Sequence, residues 1–342
     1  MKILVTGALG HIGSQLIRDL PRIIPNAELI LVDNLSTQRY CSLFDLPATG
    51  RYRFVEADIL SCDMNPMLQG VDVLVHLAAV TDAASSFDSS ALVEKVNFAG
   101  TERVAQACAE AGTKLIFVST TSVYGMQQTL VREDCPVEDL RPQSPYAESK
   151  LKAELMLQQL GTTEGLRFVT LRFGTIFGIS PGMRFHTAVN KFTWQACAGI
   201  PITVWRKAMD QHRPYLDLRD AVNAIGFIAA VDLFSNEVYN VLTLNATVRE
   251  IVSAIQTHIE DLQVQYVDTR IMNQLSYKVC REKFEQTGFR FGGNLQARIE
   301  ESIGLLKNIR SLTVVDPVSA LDNPELYGPW ESVQQNPLSR LS

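Results

Sequence analysis

The sequence predicts a doubly wound α/β fold, a parallel sheet covered by helices on both faces, followed by a smaller mixed α/β domain. Two observations carry this. Short runs that are nearly continuously apolar alternate with longer stretches whose apolar residues recur at helical spacing. Strands buried on both faces read in that way. The first run also ends on a set of glycines that opens a helical stretch.

"KILVTG" is the first strand and stops at Gly7; "SQLIRDL" follows with helical spacing. "AELILVDN" is a second strand ending at Asp33, "YRFVEADIL" a third, "VDVLVHLAA" a fourth and "KLIFVST" a fifth. Between the last two, Val93, Val96, Val104 and Ala107 mark a long helix over about 89–111, which Gly112 closes. A helix over about 146–160 precedes a sixth strand, "LRFVTLRFG". The rhythm changes after Gly174. "SPGMRFHTAVNKFTWQACAG" contains a helix, "PITVW" and "HRPYLDL" are strands, and a helix starts near Asp217. "EVYNVL" is a strand, and Thr247 with Glu250 forms a capping box before "IVSAIQTHI". The expected organisation is a first domain of 1–174 with 217–240, a second of 175–216 with 241–310, and a loop-like tail over 311–342.

The chain of 342 residues can bury a sizeable core. It is 46% hydrophobic and 20% charged, with a mean hydropathy of +0.04, as in globular proteins. Its net charge of −6 gives no electrostatic case for binding nucleic acid or an anionic membrane. No apolar stretch is long enough to cross a bilayer, and Thr6 and Gly7 cut the first one short. Cysteines 41, 62, 108, 135, 197 and 280 are scattered without a CxxC pair, so they read as reduced thiols of a cytosolic protein, with no metal site.

"TGALGHIG" places Gly7, Gly10 and Gly13 between a strand and a helix. The first lets the chain turn, the second lets a pyrophosphate approach the backbone, and the third lets the helix pack on the sheet. Asp33 follows Gly13 by twenty positions and ends the second strand, where a carboxylate accepts from ribose hydroxyls. This pattern predicts dinucleotide binding, with NAD favoured over NADP because a carboxylate repels a 2′-phosphate. Arg39 softens that preference if its loop folds back. Asp58 has two readings: an acceptor for the adenine amino group with Ile59 against the ring, or a helix N-cap.

"SPYAESK" puts Tyr146 four residues before Lys150, on one helix face. A phenol has a free pKa near ~10, and an adjacent ammonium favours its phenolate. Taken alone the pair reads first as a surface coincidence, because a four-residue motif is weak. "VSTTSVYG" ends the fifth strand, where ligands of open α/β sheets sit, and Thr120 is its candidate hydroxyl.

Together these segments resemble the extended short-chain dehydrogenases/reductases of the NAD-dependent sugar epimerase/dehydratase family. "TGALGHIG", "VDNLS", "ADIL", "HLAA", "VNFAGT", "STTSVYG", "SPYAESK" and "LRFGTIFG" fall in that family's order, and "HRPYLDLRDAV" matches its later substrate-phosphate segment. The resemblance implies a Rossmann-type domain and NAD held by Gly7, Gly10, His11, Ile12, Gly13, Asp33, Asn34, Asp58, Ile59, Leu77, Ala78, Ala79, Tyr146 and Lys150. It makes Tyr146 the proton donor or acceptor at a sugar hydroxyl. It makes Lys150 the holder of the nicotinamide ribose and the cause of a lowered tyrosine pKa, and Thr120 a hydrogen-bond partner of the reacting oxygen. Asn97 holds the fourth-strand end near the cofactor, or is a plain helix–loop contact. A homodimer, paired through the helices near 89–111 and 145–160, is also implied.

The 4,6-dehydratases of the family carry an Asp-Glu pair directly after the equivalent of Thr120, and the decarboxylating members a Glu at the Ser122 position. Here Thr121 and Ser122 stand there, and the resemblance places both among the substrate contacts with Thr120, Thr175, Arg184 and Arg213. The resemblance therefore disfavours elimination and decarboxylation, and leaves C4 epimerisation or net reduction of a keto sugar. An NAD-type Asp33 tips this to epimerisation, which regenerates its cofactor. "STTSVYG" and Thr175 are similar to the uronate 4-epimerases of the family. Arg184 and His186 either meet an acidic sugar or are solvated helix residues. Arg213 either binds the substrate diphosphate or forms a surface salt bridge. A non-catalytic NAD(P)-binding regulator is the reading from another class, and retention of Tyr146, Lys150 and Thr120 weighs against it.

Overall fold

The structure is a computed structural model and describes residues 1–81, 85–127, 130–267 and 276–306. The expected tail over 311–342 lies outside the described residues.

The first part of the chain forms β1 (Lys2–Thr6), α1 (His11–Ile23), β2 (Glu28–Asp33), β3 (Arg51–Glu56), α2 (Asn65–Leu68) and β4 (Val73–His76). The long expected helix is one rod in three parts: α3 (Ser90–Val93), a π-helical segment (Glu94–Ala99) and α4 (Gly100–Ala111). Then come β5 (Lys114–Thr120), β6 (Leu130–Val131), α5 (Pro145–Thr163), β7 (Phe168–Phe173) and β8 (Thr175–Phe177). The remainder is α6 (Ala188–Cys197), β9 (Ile202–Trp205), β10 (His212–Asp217), α7 (Leu218–Val231), β11 (Val238–Val241), β12 (Leu244–Thr247) and α8 (Val248–Gln256). After it come β13 (Val264–Val267), β14 (Lys278–Val279), α9 (Glu282–Gln286) and α10 (Leu295–Leu306).

Seven strands form one sheet in the order β11-β7-β5-β4-β1-β2-β3. Every neighbouring pair in it is parallel. Its central strands are apolar on both faces because helices cover both. Ile3, Val5, Leu29 and Leu31 pack with Leu16, Ile17 and Leu20 of α1 and Ala221 and Ile225 of α7. On the other face Leu4, Leu74, Leu115 and Phe117 meet Val104 and Cys108 of α4 and Ala153 and Leu157 of α5. Strand order reverses between β1 and β4, which opens a crevice at their carboxyl ends.

Local chemistry sets the helix ends that matter for the site. Ser144 caps α5 by accepting from the Ala147 amide, and Pro145 occupies the first turn, where its missing N–H costs nothing. Gly112 ends α4 in the left-handed region. Asp217 caps α7, and the capping box at Thr247 and Glu250 opens α8. A smaller sheet, β12-β10-β8, rests on a third core of Phe177, Val189, Ile202, Tyr215, Ile251 and Ile299. Between its strands the chain returns to the large sheet through α7 and β11. Among the described residues no helix is long and apolar enough to cross a membrane, and no three His, Cys, Asp or Glu side chains gather as metal ligands.

Candidate active site

A cavity of about 610 Å³ lies at the carboxyl ends of the central strands. One end is built by the loop after β1 and the ends of β2 and β3. Gly7, Gly10, His11, Ile12, Gly13, Asp33, Asn34, Asp58 and Ile59 all line it. Gly7 has φ +66°, and a Cβ there would stand 2.6 Å from the Ala78 amide nitrogen, so only glycine lets β1 turn under β4. The Asp33 carboxylate accepts from the Leu9 amide at 3.1 Å and the Leu35 amide at 3.0 Å. Asp58 accepts from the Leu60 amide at 2.8 Å and from Asn34 Nδ2 at 3.1 Å, so it stabilises its own turn while facing the cavity.

The segment after β8 crosses over this end as a strap. His11 Nε2 lies 3.1 Å from the Gly178 carbonyl oxygen, and Ser180 Oγ donates to the His11 carbonyl at 2.9 Å. The Gly182 amide donates to Ser14 Oγ at 3.0 Å, and Arg39 Nη1 donates to the Gly182 carbonyl at 2.7 Å. Arg39 thus does fold back onto the cavity. Burial pulls His11 down to about 4, against its hydrogen bond to Gly178, and the charges of His186, Arg39 and Arg184 lower it further.

The middle of the cavity is walled by Leu77, Ala78 and Ala79 after β4. His76 below them is buried and neutral. Thr101 Oγ1 gives its proton to the Asn97 carbonyl at 2.6 Å, so it accepts from His76 Nε2 at 3.0 Å. That leaves His76 Nδ1 to accept from Thr6 Oγ1 at 2.7 Å. Burial, and then the Lys150 charge, lowers His76 to about 3. Asn97 is buried in the π-helical segment and does not line the cavity. Its amide exchanges two hydrogen bonds with Val80, at 2.8 and 2.9 Å, and reaches Ser149 Oγ at 3.3 Å. It holds the loop after β4 to α5 from within the π-helical segment.

At the far end stand Thr120, Ser122, Tyr146, Lys150, Thr175 and Arg213; Arg184 and His186 also line the cavity, but close enough to His11 for their charges to act on it, and Arg184 donates to Thr81 Oγ1. Thr121, expected among the substrate contacts, is turned into the protein. It donates to the Phe173 carbonyl at 3.3 Å and receives a bond from Tyr277 Oη at 3.2 Å. The reason is local: β5 passes into a single 3₁₀ turn over Thr121–Tyr124, which sends Thr121 inward and leaves Ser122 in the wall. The expectation that Lys150 lowers the Tyr146 phenol also needs correction for the protein alone. Burial pushes Tyr146 up to about 12, and a hydrogen bond with Thr120 only partly offsets it. The Lys150 ammonium is engaged with β5 instead, donating to the Val118 carbonyl at 2.9 Å and standing 4.7 Å from the Phe117 ring centroid. Burial lowers it to about 8, with the Glu154 charge opposing.

Two features escaped the sequence reading. The strap joins residues 143 or more positions apart, which no local pattern signals. Glu154 continues the spacing of Tyr146 and Lys150 by one more turn of α5, and that periodicity was the available clue.

A glycine turn after β1, an acid at the end of β2 and a tyrosine and lysine from one helix around a single cavity are the arrangement of a Rossmann-type dinucleotide-binding protein. The chain belongs to the NAD dependent epimerase/dehydratase family, whose model matches residues 3–241, and the family's cofactor is NAD. It is 31% identical over 265 residues to an uncharacterized UDP-glucose epimerase of Bacillus subtilis, covering 75% of this chain and 81% of that one. A trifunctional UDP-glucose 4,6-dehydratase/3,5-epimerase/reductase of Arabidopsis thaliana is 29% identical over 308 residues. The match covers 84% of this chain, which spans under half, 44%, of that protein. Among solved structures, the UDP-glucuronic acid 4-epimerase of Bacillus cereus, in complex with UDP-glucuronic acid and NAD, superposes with a TM-score of 0.79. It shares 25% identity over 90% of this chain and 100% of that one. The residues here fit NAD: the glycine turn leaves backbone exposed for a pyrophosphate, and Asp33 keeps lone pairs free after its two amide bonds.

Proposed function

We propose that this protein is a nucleotide-sugar 4-epimerase acting through a 4-keto intermediate on a UDP-hexose or UDP-hexuronate. The observation that carries this reading is the composition of the far end of the cavity. Tyr146, Lys150 and Thr120 converge there, while the carboxylates lining the cavity among the described residues, Asp33 and Asp58, lie at the opposite end. Thr121 and Ser122 cannot supply the carboxylic acid that elimination of water needs.

NAD held by the glycine turn and Asp33 would supply the hydride acceptor for oxidation of the sugar carbon and the donor for its reduction from the other face. Tyr146 Oη accepts the proton of the C4 hydroxyl and later returns it. Its phenol needs the positive charges of Lys150 and the oxidised nicotinamide to do so at neutral pH. Thr120 hydrogen-bonds the same oxygen and keeps it within reach of the phenol. Lys150 holds the nicotinamide ribose. Arg213 pairs with the diphosphate and Thr175 faces the sugar, while Arg184 and His186 line the cavity nearer His11.

The test is incubation of the purified protein with UDP-glucose, UDP-glucuronate and UDP-N-acetylglucosamine, followed by mass spectrometry and NMR. A C4 epimer of unchanged mass supports the reading. Dehydration is the second reading, favoured by the likeness to the trifunctional dehydratase, and it would appear as a product lighter by one water. Its appearance would replace the first.

A further inference from the structure

One turn deeper than the Tyr146–Lys150 pair, α5 carries a buried carboxylate that the proposed reaction does not consume. Glu154 is 3% exposed. It follows Lys150 by four residues, so the two share a helix face. Its carboxylate accepts from Ser119 Oγ on β5. Arg172 on β7 grips it: Nε is 3.1 Å from both oxygens and Nη2 is 2.7 Å from one. Ser119 and Arg172 are register partners across the two strands, so one side chain ties α5 to both at a single level. The residues flanking Ser119 are the ones the site uses. Val118 accepts the Lys150 hydrogen bond, and Thr120 faces the cavity.

A tie alone needs no charge, since apolar packing often replaces a buried ion pair without loss. The charge has a second effect. Charge passes between Lys150 and two titratable groups, His76 from β4 and Glu154 from α5; β5 supplies the Phe117 ring and a carbonyl, Tyr146 stands one turn along α5, and Arg172 from β7 lies on Glu154. His76 is held neutral, Arg172 is a cation and Tyr146 is protonated. Glu154 is the anion of this group.

We propose that Glu154 is a positioning residue for the reaction: tied to Ser119 and Arg172, it sets α5 against the end of β5 and supplies the negative charge that keeps Lys150 an ammonium. This rests on the reading that Tyr146, Lys150 and Thr120 carry the chemistry. Burial works against the ammonium and the Glu154 charge works for it.

The test is a carbon NMR titration of the Lys150 side chain in the NAD-loaded protein, its signal assigned by its loss in Lys150→Met. Glu154→Gln should lower the midpoint by about one pH unit, a tenfold change in the charged fraction. The basic limb of the kcat profile should move with it, while KM changes little. Arg172→Met, which keeps the Glu154 charge and removes its cation, is titrated alongside and should leave the midpoint unmoved or raised. An unmoved midpoint in folded Glu154→Gln, or a midpoint that falls as far in Arg172→Met, overturns the proposal. Failure of Glu154→Gln to fold also overturns it, because Glu154 is then a folding element. If no nucleotide sugar is turned over by the unaltered protein, the functional reading fails, and the NMR titration still decides what the Glu154 charge does.

Discussion

Tyr146 faces two opposed demands, since it must be dry enough to exclude water from the sugar yet able to lose a proton. In the protein alone dryness wins, and the phenol sits at about 12. Turnover therefore depends on charge brought close to it. Tyr146→Phe removes the proton carrier and should lower kcat by about 10²–10⁴-fold with NAD binding nearly intact. Lys150→Met should damage both turnover and NAD binding, and Thr120→Val should fall between them, which steady-state kinetics and calorimetry would show. Lys150→Met has a second, opposite consequence for stability. Burial holds the folded-state value of Lys150 at about 8, below its ordinary 10.5. Below the folded value both states are protonated and the whole penalty of burying the charge is present. Between the two values the unfolded chain binds more protons, so stability rises with pH and the penalty fades. Without NAD, Lys150→Met should therefore be more stable at neutral pH by roughly 3 kcal/mol, with the gain gone in alkali. Denaturant melts at both pH values check this. The Tyr146–Lys150 pair was legible because helical spacing is a local rule. Thr121 was misplaced because adjacent residues in a 3₁₀ turn point in different directions, which a motif does not record.

The same division holds for elements. β1, β2, β4, β5 and β7 could be read as apolar runs because burial on both faces leaves no polar alternation to confuse. The long rod over 90–111 was also legible, but its π-helical segment was not, because one extra residue per turn leaves the apolar spacing almost unchanged. The strap is the element with no sequence signature, and its key position is Gly182. A Cβ there would stand 2.3 Å from the Leu9 carbonyl oxygen and 2.5 Å from that of Gly10. These are backbone atoms of the glycine loop and cannot move aside cheaply. Gly182→Ala should lift the strap, break the Gly182–Ser14 and Arg39–Gly182 bonds and loosen the wall over the cofactor end. The expected result is NAD lost on gel filtration and an affinity weakened about tenfold, on the order of 1.4 kcal/mol. NAD retained as tightly as in the unaltered protein would show that the strap does not close the site.

At the scale of the molecule, two properties follow from how the layers are assembled. Leu155 on α5 and Phe87 before α3 are exposed, at 45% and 38%, away from the cavity lining. They mark the face through which we expect two copies to pair, and Leu155→Arg should convert a dimer into a monomer by light scattering at micromolar concentration. The second property is sensitivity to acid. His76 is buried and His11 half-buried, and both are neutral, held at about 3 and about 4 against an ordinary 6.5. As pH falls below the ordinary value, histidines of the unfolded chain take up protons that the folded ones refuse. The unfolded state then binds more protons, so stability falls with pH, and each histidine contributes up to about 1.4 kcal/mol per unit. The loss continues until each folded value is reached. These histidines stand between the glycine loop and the strap and between β4 and the helical rod, so they charge only when those layers part. Denaturant unfolding between about pH 6 and 5, above the range where most carboxylates titrate, isolates this effect. His11→Gln should remove roughly half of the slope, since it leaves His76 as the remaining neutral histidine of the pair. A stability that does not change across that interval would mean that both imidazoles are protonated in the folded protein, and the neutral hydrogen-bond chain from Thr6 through His76 to Thr101 would have to be redrawn.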